Sequence, residues 1–486
     1  MYKDGKNVRA SILSGLFWTF GERFFAQGVS FIVSLALARM LNPTDYGVVA
    51  IVMVFISISD VFISYGLGTS LIQKKDADEL DFSSIFYAAI MLAAFFYIAI
   101  YLVAPWVEKF YEMPGLTIFI RVLSLRIPIG AINTIQHAYV SRHMIFKKFF
   151  FSTLFGTVVS AAIGIIMAAY GFGTWSLVAQ TMTNTVVDTL VLFITVPWRP
   201  HLMFSMERCK NLFAFGWKIT LAQLIQVIYD NLRSLAIGKK YRPADLAYYD
   251  RGQGMVNIIV QNIDTSLSKV LFPVMSDYQN DRNQLKKITR RSIKTSTFII
   301  APLLIGLAGT APSVVEILLT QKWLPTVPYL QILCVANLFQ PMHASNLQAI
   351  KALGRSDVSL KLEIVKKAYS LIILIISIVS FNSPFAVAVG FVLSTLVSVF
   401  VNAAPNKKLL GYGYKEQLLD IAPILLNVCV MAVVVLLIGM LPVYDVLLLV
   451  IQVFCGAIVY IGLSLAFKLE PAMYLLNMIK IFRMKG

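Results

Sequence analysis

Charge is what this chain has little of. Of its 486 residues, 14% are Asp, Glu, Lys or Arg, where a soluble protein of this length carries about a quarter. Mean hydropathy is +0.75 and 58% of residues are hydrophobic, so the excess apolar surface has to face lipid. Acidic residues are the scarcer sign, 25 against 42 Lys and Arg, giving a net charge of +17. Such an excess would suit nucleic acid. Here the basic residues fall in short segments between apolar runs, as the positive-inside rule requires, and a nucleic-acid partner is excluded. Cysteine is sparse as well. Cys209, Cys334, Cys429 and Cys455 lie far apart, three of them inside apolar runs, and form no CxxC pair or zinc spacing. Neither redox nor metal chemistry is expected. GxxxxGK[ST], HExxH and GxSxG are missing, the four histidines are scattered, and no cofactor is expected. Asp76-Ala-Asp78 copies the acidic pair of metal-dependent glycosyltransferases but reads as a solvated loop, with no nucleotide-binding domain around it. The N-terminal stretch shows no short apolar core with a small-residue cleavage site, and is expected to run straight into a first span.

What the chain does have is apolar runs long enough to cross a hydrocarbon core of ~30 Å as helices. Fourteen can be counted, from 13–38 to 444–467, with twelve or thirteen as the alternative counts. With the N-terminus in the cytoplasm, Lys and Arg favour the cytoplasmic segments over the outer ones by about five to one. Both termini are therefore expected in the cytoplasm, in a multi-pass protein of the bacterial inner membrane. The longest loop, 276–292, leaves no room for a separate soluble domain.

One pattern is written twice, roughly 200 residues apart. The first copy reads Pro43-Thr-Asp45, then Pro128-Ile-Gly-Ala131-Ile-Asn133, then Arg142; the second reads Pro243-Ala-Asp245, then Pro341-Met-His-Ala344-Ser-Asn346, then Arg355. Trp18 and Trp217 extend the match upstream. Each copy spans six helices, an even number, so the copies enter the membrane from the same side as parallel repeats. The expected fold is an all-α polytopic membrane protein of about 14 transmembrane helices, with two parallel six-helix lobes in pseudo-twofold symmetry plus two C-terminal helices. Residues 1–196 are expected to form the N-lobe, 197–210 a cytoplasmic linker, 211–404 the C-lobe, and 405–486 spans 13 and 14 with a cytoplasmic tail.

Leu37-Ala-Arg-Met-Leu-Asn-Pro-Thr-Asp-Tyr-Gly47, continuing to Gly66-Leu-Gly-Thr-Ser-Leu-Ile-Gln73, resembles the first two spans of bacterial polysaccharide flippases. These are the Wzx-type exporters of the multidrug/oligosaccharidyl-lipid/polysaccharide (MOP) superfamily. Tyr249-Asp-Arg251 with Val270-Leu-Phe-Pro-Val-Met-Ser276, and Asn346-Leu-Gln348 through Gly354-Arg-Ser-Asp357, resemble later parts of the same family. The resemblance implies that the protein moves an undecaprenyl-diphosphate-linked oligosaccharide to the outer leaflet, by alternating access through a polar cavity between two lobes. It implies lipid-linked oligosaccharide and membrane lipids as partners, with a polysaccharide polymerase and glycosyltransferases as further candidates, and a monomer. The rivals are another exporter of the superfamily, for drugs or a peptidoglycan precursor, and a membrane polymerase or glycosyltransferase of the same pathway. Enzymes of that kind need sizeable outer loops, which are missing here, so the chain reads as no enzyme.

Ionisable residues inside spans are expensive and tend to face a cavity or a partner. Arg23, Arg126, Arg251, Lys218 and Lys269 are candidates for the substrate diphosphate, which needs Arg or Lys partners; structural pairing or snorkelling is the alternative for each. Trp18 and Trp217, inside spans, are cavity candidates, whereas Trp106, Trp175, Trp198 and Trp323 stand at span ends and read as an interfacial belt. Glu22, Asp60 and Asp188 are candidates for coupling to a proton or sodium gradient, or are helix-packing residues. Pro128 and Pro341, at matching places, are hinge candidates. The repeated Asn133 and Asn346 read as interhelical hydrogen bonders in preference to sugar contacts.

Overall fold

The helix starts follow from the repeated Pro-x-Asp. Pro43 and Pro243 stand at the first helical position, where no N–H is needed, and Asp45 and Asp245 reach back to the preceding backbone. Asn42 N donates to Asp45 Oδ2 at 3.0 Å and Arg242 N to Asp245 Oδ2 at 3.2 Å. The repeated aspartates are thus capping residues. In the computed structural model, residues 28–68, 71, 74, 77–143, 145 and 147–485 are described; side chains at 64–67, 214–216, 218–219, 262–270, 356 and 478–485 are not.

The described residues hold helices and no strand. The first part comprises α1 (Gly28–Met40), α2 (Pro43–Asp60) continued by a π-helical segment (Val61–Gly68), α3 (Glu79–Tyr111), α4 (Leu116–Leu123) and α5 (Arg126–His143). Next come α6 (Lys147–Ala169), α7 (Thr174–Thr195), α8 (Met206–Lys240) and α9 (Pro243–Asp277). The rest comprises α10 (Arg282–Gly309), α11 (Ala311–Leu319), α12 (Thr326–Asn337), α13 (Gln340–Ala352), α14 (Ser356–Ser380), α15 (Pro384–Leu410), α16 (Tyr414–Ile438), α17 (Asp445–Ala466) and α18 (Glu470–Lys485). Among the described residues nine helical segments are long and apolar enough to cross a membrane. Others fall short by composition. Both α8 and α9 run to 35 residues but carry several charges each.

The chain divides into two units, Met1–Ala247 and Tyr248–Gly486. Both have an apolar exterior, and their interiors mix apolar side chains with polar ones. Ile194, Val379, Leu426 and Ile458 are exposed, while Ser, Thr, Asn and Gln are found among the buried residues. That suits lipid, where small and polar residues make helix contacts. In the first unit α6 and α7 pack along a stripe of small residues at four-residue spacing, Ser152, Gly156, Ser160, Gly164 and Ala168, all buried. In the second unit α14 packs on α15, and α16 packs on both α10 and α17.

The segment 197–210 is fastened to the start of α3. Trp198 Nε1 donates to Glu79 at 2.8 Å, His201 N to Ser83 at 3.1 Å and Ser205 N to Ser84 at 2.9 Å. Asp78 caps α3 through Asp81 N at 2.8 Å. Trp198 is 4% exposed, between Phe82 and Phe86, and Trp323 is fully buried. These two tryptophans are core residues and not belt residues; Trp106, at 68% exposure, suits the belt.

Both hinge prolines follow a break. Span 4 is split between α4 and α5, with Pro128 in the first turn of α5; span 10 is split between α12 and α13, with Pro341 in the first turn of α13. A proline in a first turn has no helical N–H bond to lose.

Candidate functional site

The site lies in the first unit, in a polar cavity of about 400 Å³. It takes shape from two local features. Asp60 ends α2 where the helix loosens into its π-helical segment, a distortion common at functional sites. Opposite, α5 contributes Arg126, Gly130, Asn133, Thr134, His137 and Ser141, whose spacing of three and four residues puts them on one stripe. From α7 come Asn184, Thr185 and Asp188.

Asn133 Nδ2 donates to Asp188 Oδ2 at 2.5 Å. His137 Nε2 lies 3.7 Å from the same oxygen, and its ring stacks on Phe149 at 4.6 Å. Ser152 on α6 stands beside Asp188, its hydroxyl donating to the Phe149 carbonyl at 3.3 Å. The Asn133 side-chain carbonyl is buried without a hydrogen-bond partner. Arg126 acts electrostatically on Asp60, and its Nη1 is 3.9 Å from the Met53 sulfur. Gly156 lets α7 come close: a Cβ there would lie 3.3 Å from the Asn184 carbonyl and 3.5 Å from the Asp188 Cβ. Two carboxylates, one guanidinium and one imidazole thus share a small polar space inside an apolar helical body.

The repeated asparagine bonds between helices in both copies. Asn133 on span 4 reaches Asp188 on span 6. Asn346 on span 10 accepts from Asn406 on span 12 at 2.6 Å and pairs with Gln417 on span 13 at 2.8 and 3.1 Å. The first copy has a carboxylate at this junction and the second has amides.

Of the residues singled out in the sequence, Asp60, Arg126 and Asp188 come together here. Trp18, Glu22 and Arg23 lie outside the described residues, as do the side chains of Lys218 and Lys269. Trp217, 44% exposed on α8, and Arg251, 5.2 Å from the ring centre of Trp323, do not line this cavity. His137, Asn184, Thr185 and Gly130 were not foreseen. His137 follows Asn133 by one helical turn, which is a readable signal once Asn133 is placed on a cavity face.

An α-helical membrane body around a polar cavity defines a multi-pass membrane transporter. The polysaccharide biosynthesis protein family matches residues 36–328, more than half the chain, and the chain belongs to that family. Among curated relatives it is similar to the lipopolysaccharide biosynthesis protein WzxC of Escherichia coli (strain K12), with 23% identity over 85% of each chain. It is also similar to the succinoglycan biosynthesis transport protein ExoT of Rhizobium meliloti (strain 1021), with 22% identity over 70% of this chain and 69% of the relative. The teichuronic acid biosynthesis protein TuaB of Bacillus subtilis (strain 168) shares 23% identity over 73% and 74%. Its fold is that of the lipid II flippase MurJ in an inward closed conformation, with TM-score 0.73 and 15% identity over 93% of this chain and 98% of that one. An inward-facing multidrug resistance MATE family transporter of the MOP superfamily has TM-score 0.62 and 16% identity over 81% and 98%.

Proposed function

We propose that this protein is a flippase that carries undecaprenyl-diphosphate-linked oligosaccharide repeat units across the cytoplasmic membrane for surface polysaccharide biosynthesis. The observation that carries this reading is the charged cavity of the first unit, in a chain of the polysaccharide biosynthesis protein family. Relatives named for lipopolysaccharide, succinoglycan and teichuronic acid biosynthesis differ in the glycan and share the pathway class. In this reading residues 1–196 and 211–404 act as two lobes joined by 197–210, with 405–486 as an appendix, and both termini are cytoplasmic.

The cavity couples the cycle to a proton or sodium gradient through Asp60 and Asp188, with Glu22 as a further candidate. Arg126 links coupling to substrate. Beside an ionised Asp60 its charge is countered; with a cation on the carboxylates its guanidinium is free for diphosphate. Arg23, Arg251, Lys218 and Lys269 are the remaining proposed diphosphate contacts, with Trp18 and Trp217 as proposed sugar or lipid contacts. Pro128 and Pro341 are the proposed bending points, since each span is already broken beside them. Lipid-linked oligosaccharide and bilayer lipid are the partners, and the chain works as a monomer alongside the polymerase and glycosyltransferases of its pathway.

Deleting the gene tests this. Lipid-linked repeat units are expected to accumulate on the cytoplasmic leaflet while their synthesis continues. Failure to make the units would favour an enzyme of the pathway, and normal surface glycan would favour an exporter of another substrate.

A further inference from the structure

The two copies differ at three positions inside their shared motif, and at one of them the first copy lacks a side chain altogether. Pro128-Ile-Gly130-Ala131-Ile-Asn133 becomes Pro341-Met-His343-Ala344-Ser-Asn346. The flanking Pro, Ala and Asn are kept, and both asparagines make interhelical hydrogen bonds. At the third motif position, Gly130 against His343, the first copy has no side chain and the second has an imidazole. Gly130 lines the cavity, and a Cβ built on it would meet nothing within 4 Å. Nothing in the packing of α5 therefore requires glycine there. In the second unit His343 occupies the matching place on α13. The Asn402 amide of α15 donates to His343 Nδ1 at 2.9 Å, and Nε2 is buried. The ring is thus set against the helix pair whose first-copy counterpart frames the open cavity.

The charges of the open cavity select its ligand. Asp60, Asp188 and Arg126 line the cavity, with Arg126 acting on Asp60 and His137 beside Asp188. With the imidazole neutral, this is one net negative charge in a space walled by apolar helices. While the carboxylates are unoccupied a small cation is favoured there over an anionic diphosphate, which meets a free Arg126 only once that cation is bound. At about 400 Å³ the cavity also admits water, on the order of ten molecules at ~30 Å³ each. The unpartnered carbonyl of Asn133, a residue only 8% exposed, offers a further oxygen to a cation or its water.

We propose that Gly130 and His343 are the open and filled versions of one repeated site: Gly130 keeps the first-copy cavity open to a small hydrated cation, and His343 fills the second. The transport cycle then has one cation site and not a symmetric pair. This rests on the transport reading above. Gly130 acts by the volume it leaves free.

The test is a volume series, Gly130→Ala, Gly130→Val and Gly130→His, in the full chain, with two readouts normalised to inserted protein. The first is labelling of Ser141→Cys, a cavity-lining position, by the small cationic reagent 2-aminoethyl methanethiosulfonate, above the signal of the native cysteines. The second is export of surface glycan. Labelling and export are both expected to fall stepwise with side-chain volume, at least tenfold for Gly130→His. His343→Ala, which leaves the first cavity untouched, is expected to export within twofold of wild type. If Gly130→His proves unstable, the Ala and Val steps carry the test. Wild-type labelling across the series would overturn the claim that Gly130 sets the cavity. Reduced labelling with unchanged export would overturn the single cation site while leaving the flippase reading intact, and a tenfold loss in His343→Ala would overturn the filler role. The flippase reading fails separately, if the deletion strain exports normally.

Discussion

The side-chain amide of Asn133 donates to Asp188 Oδ2 at 2.5 Å, joining spans 4 and 6 at the wall of the cavity. The bond fixes one oxygen of a carboxylate that also faces His137. Asn133→Ala is expected to destabilise the protein by ~1 kcal/mol, the size of an interhelical hydrogen bond in a bilayer. A thermal-shift measurement in detergent checks this against wild type.

Asp188→Asn keeps the shape of the side chain and removes its charge. Insertion and melting temperature are expected to change little, while export falls at least tenfold. Immunoblotting of membranes beside quantified surface glycan separates the two effects. Equal loss of both would mark Asp188 as a packing residue.

Gly156 tests how closely α7 must approach. A Cβ there falls just inside ordinary contact with Asn184 and Asp188, so Gly156→Ala is expected to cost little. Gly156→Leu has to push α7 outward, at ~1–3 kcal/mol of overpacking strain. Lower melting temperature with Leu and near-wild-type behaviour with Ala is the expected pair of results.

Asp81 is fully buried, with Lys74 at 2.5 Å and Arg208 at 3.4 Å. Both cations are partly exposed, so water compensates part of the loss when the carboxylate is removed. Asp81→Ala is expected to destabilise by about 2 kcal/mol, below the cost of breaking a fully buried pair. Increased proteolysis of the 197–210 segment, which is anchored on the same helix start, would accompany it.

Arg355 holds Asp357 in a two-bonded pair at 3.0 Å for both contacts, and this keeps the carboxyl low, at about 2 against an ordinary 3.8. A depressed carboxylate contributes its stability fully above the ordinary value, and loses it as pH falls toward the folded one. The window is therefore pH 3.8 down to about 2. Asp357→Asn is expected to leave the pH profile of transport unchanged between pH 5 and 8. A changed profile there would assign Asp357 a role in coupling.

The helical class, the doubled motif and the membrane-borne carboxylates were legible because each depends on local sequence. Hydropathy marks helices, Pro-x-Asp marks their starts, and a charge inside an apolar run marks a polar surrounding. The small-residue stripe from Ser152 to Ala168 was equally readable, although only contacts reveal that it faces Asp188. What could not be read was convergence. Asp60, His137 and Asp188 are far apart in sequence and meet only once spans 2, 4 and 6 pack. Trp198 and Trp323 misled for a related reason: position at a span end is a sequence property, whereas burial behind Phe82 and Phe86, or beneath Arg251, belongs to the fold.

The most direct measurement is the transbilayer position of an undecaprenyl-diphosphate-linked repeat unit in proteoliposomes, under an imposed proton or sodium gradient, with wild type beside Asp188→Asn. Gradient-dependent appearance of the repeat unit in the opposite leaflet with wild type, reduced at least tenfold by Asp188→Asn, is the expected result. Equal movement by both proteins, or none with wild type under either gradient, would contradict a flippase coupled through this cavity.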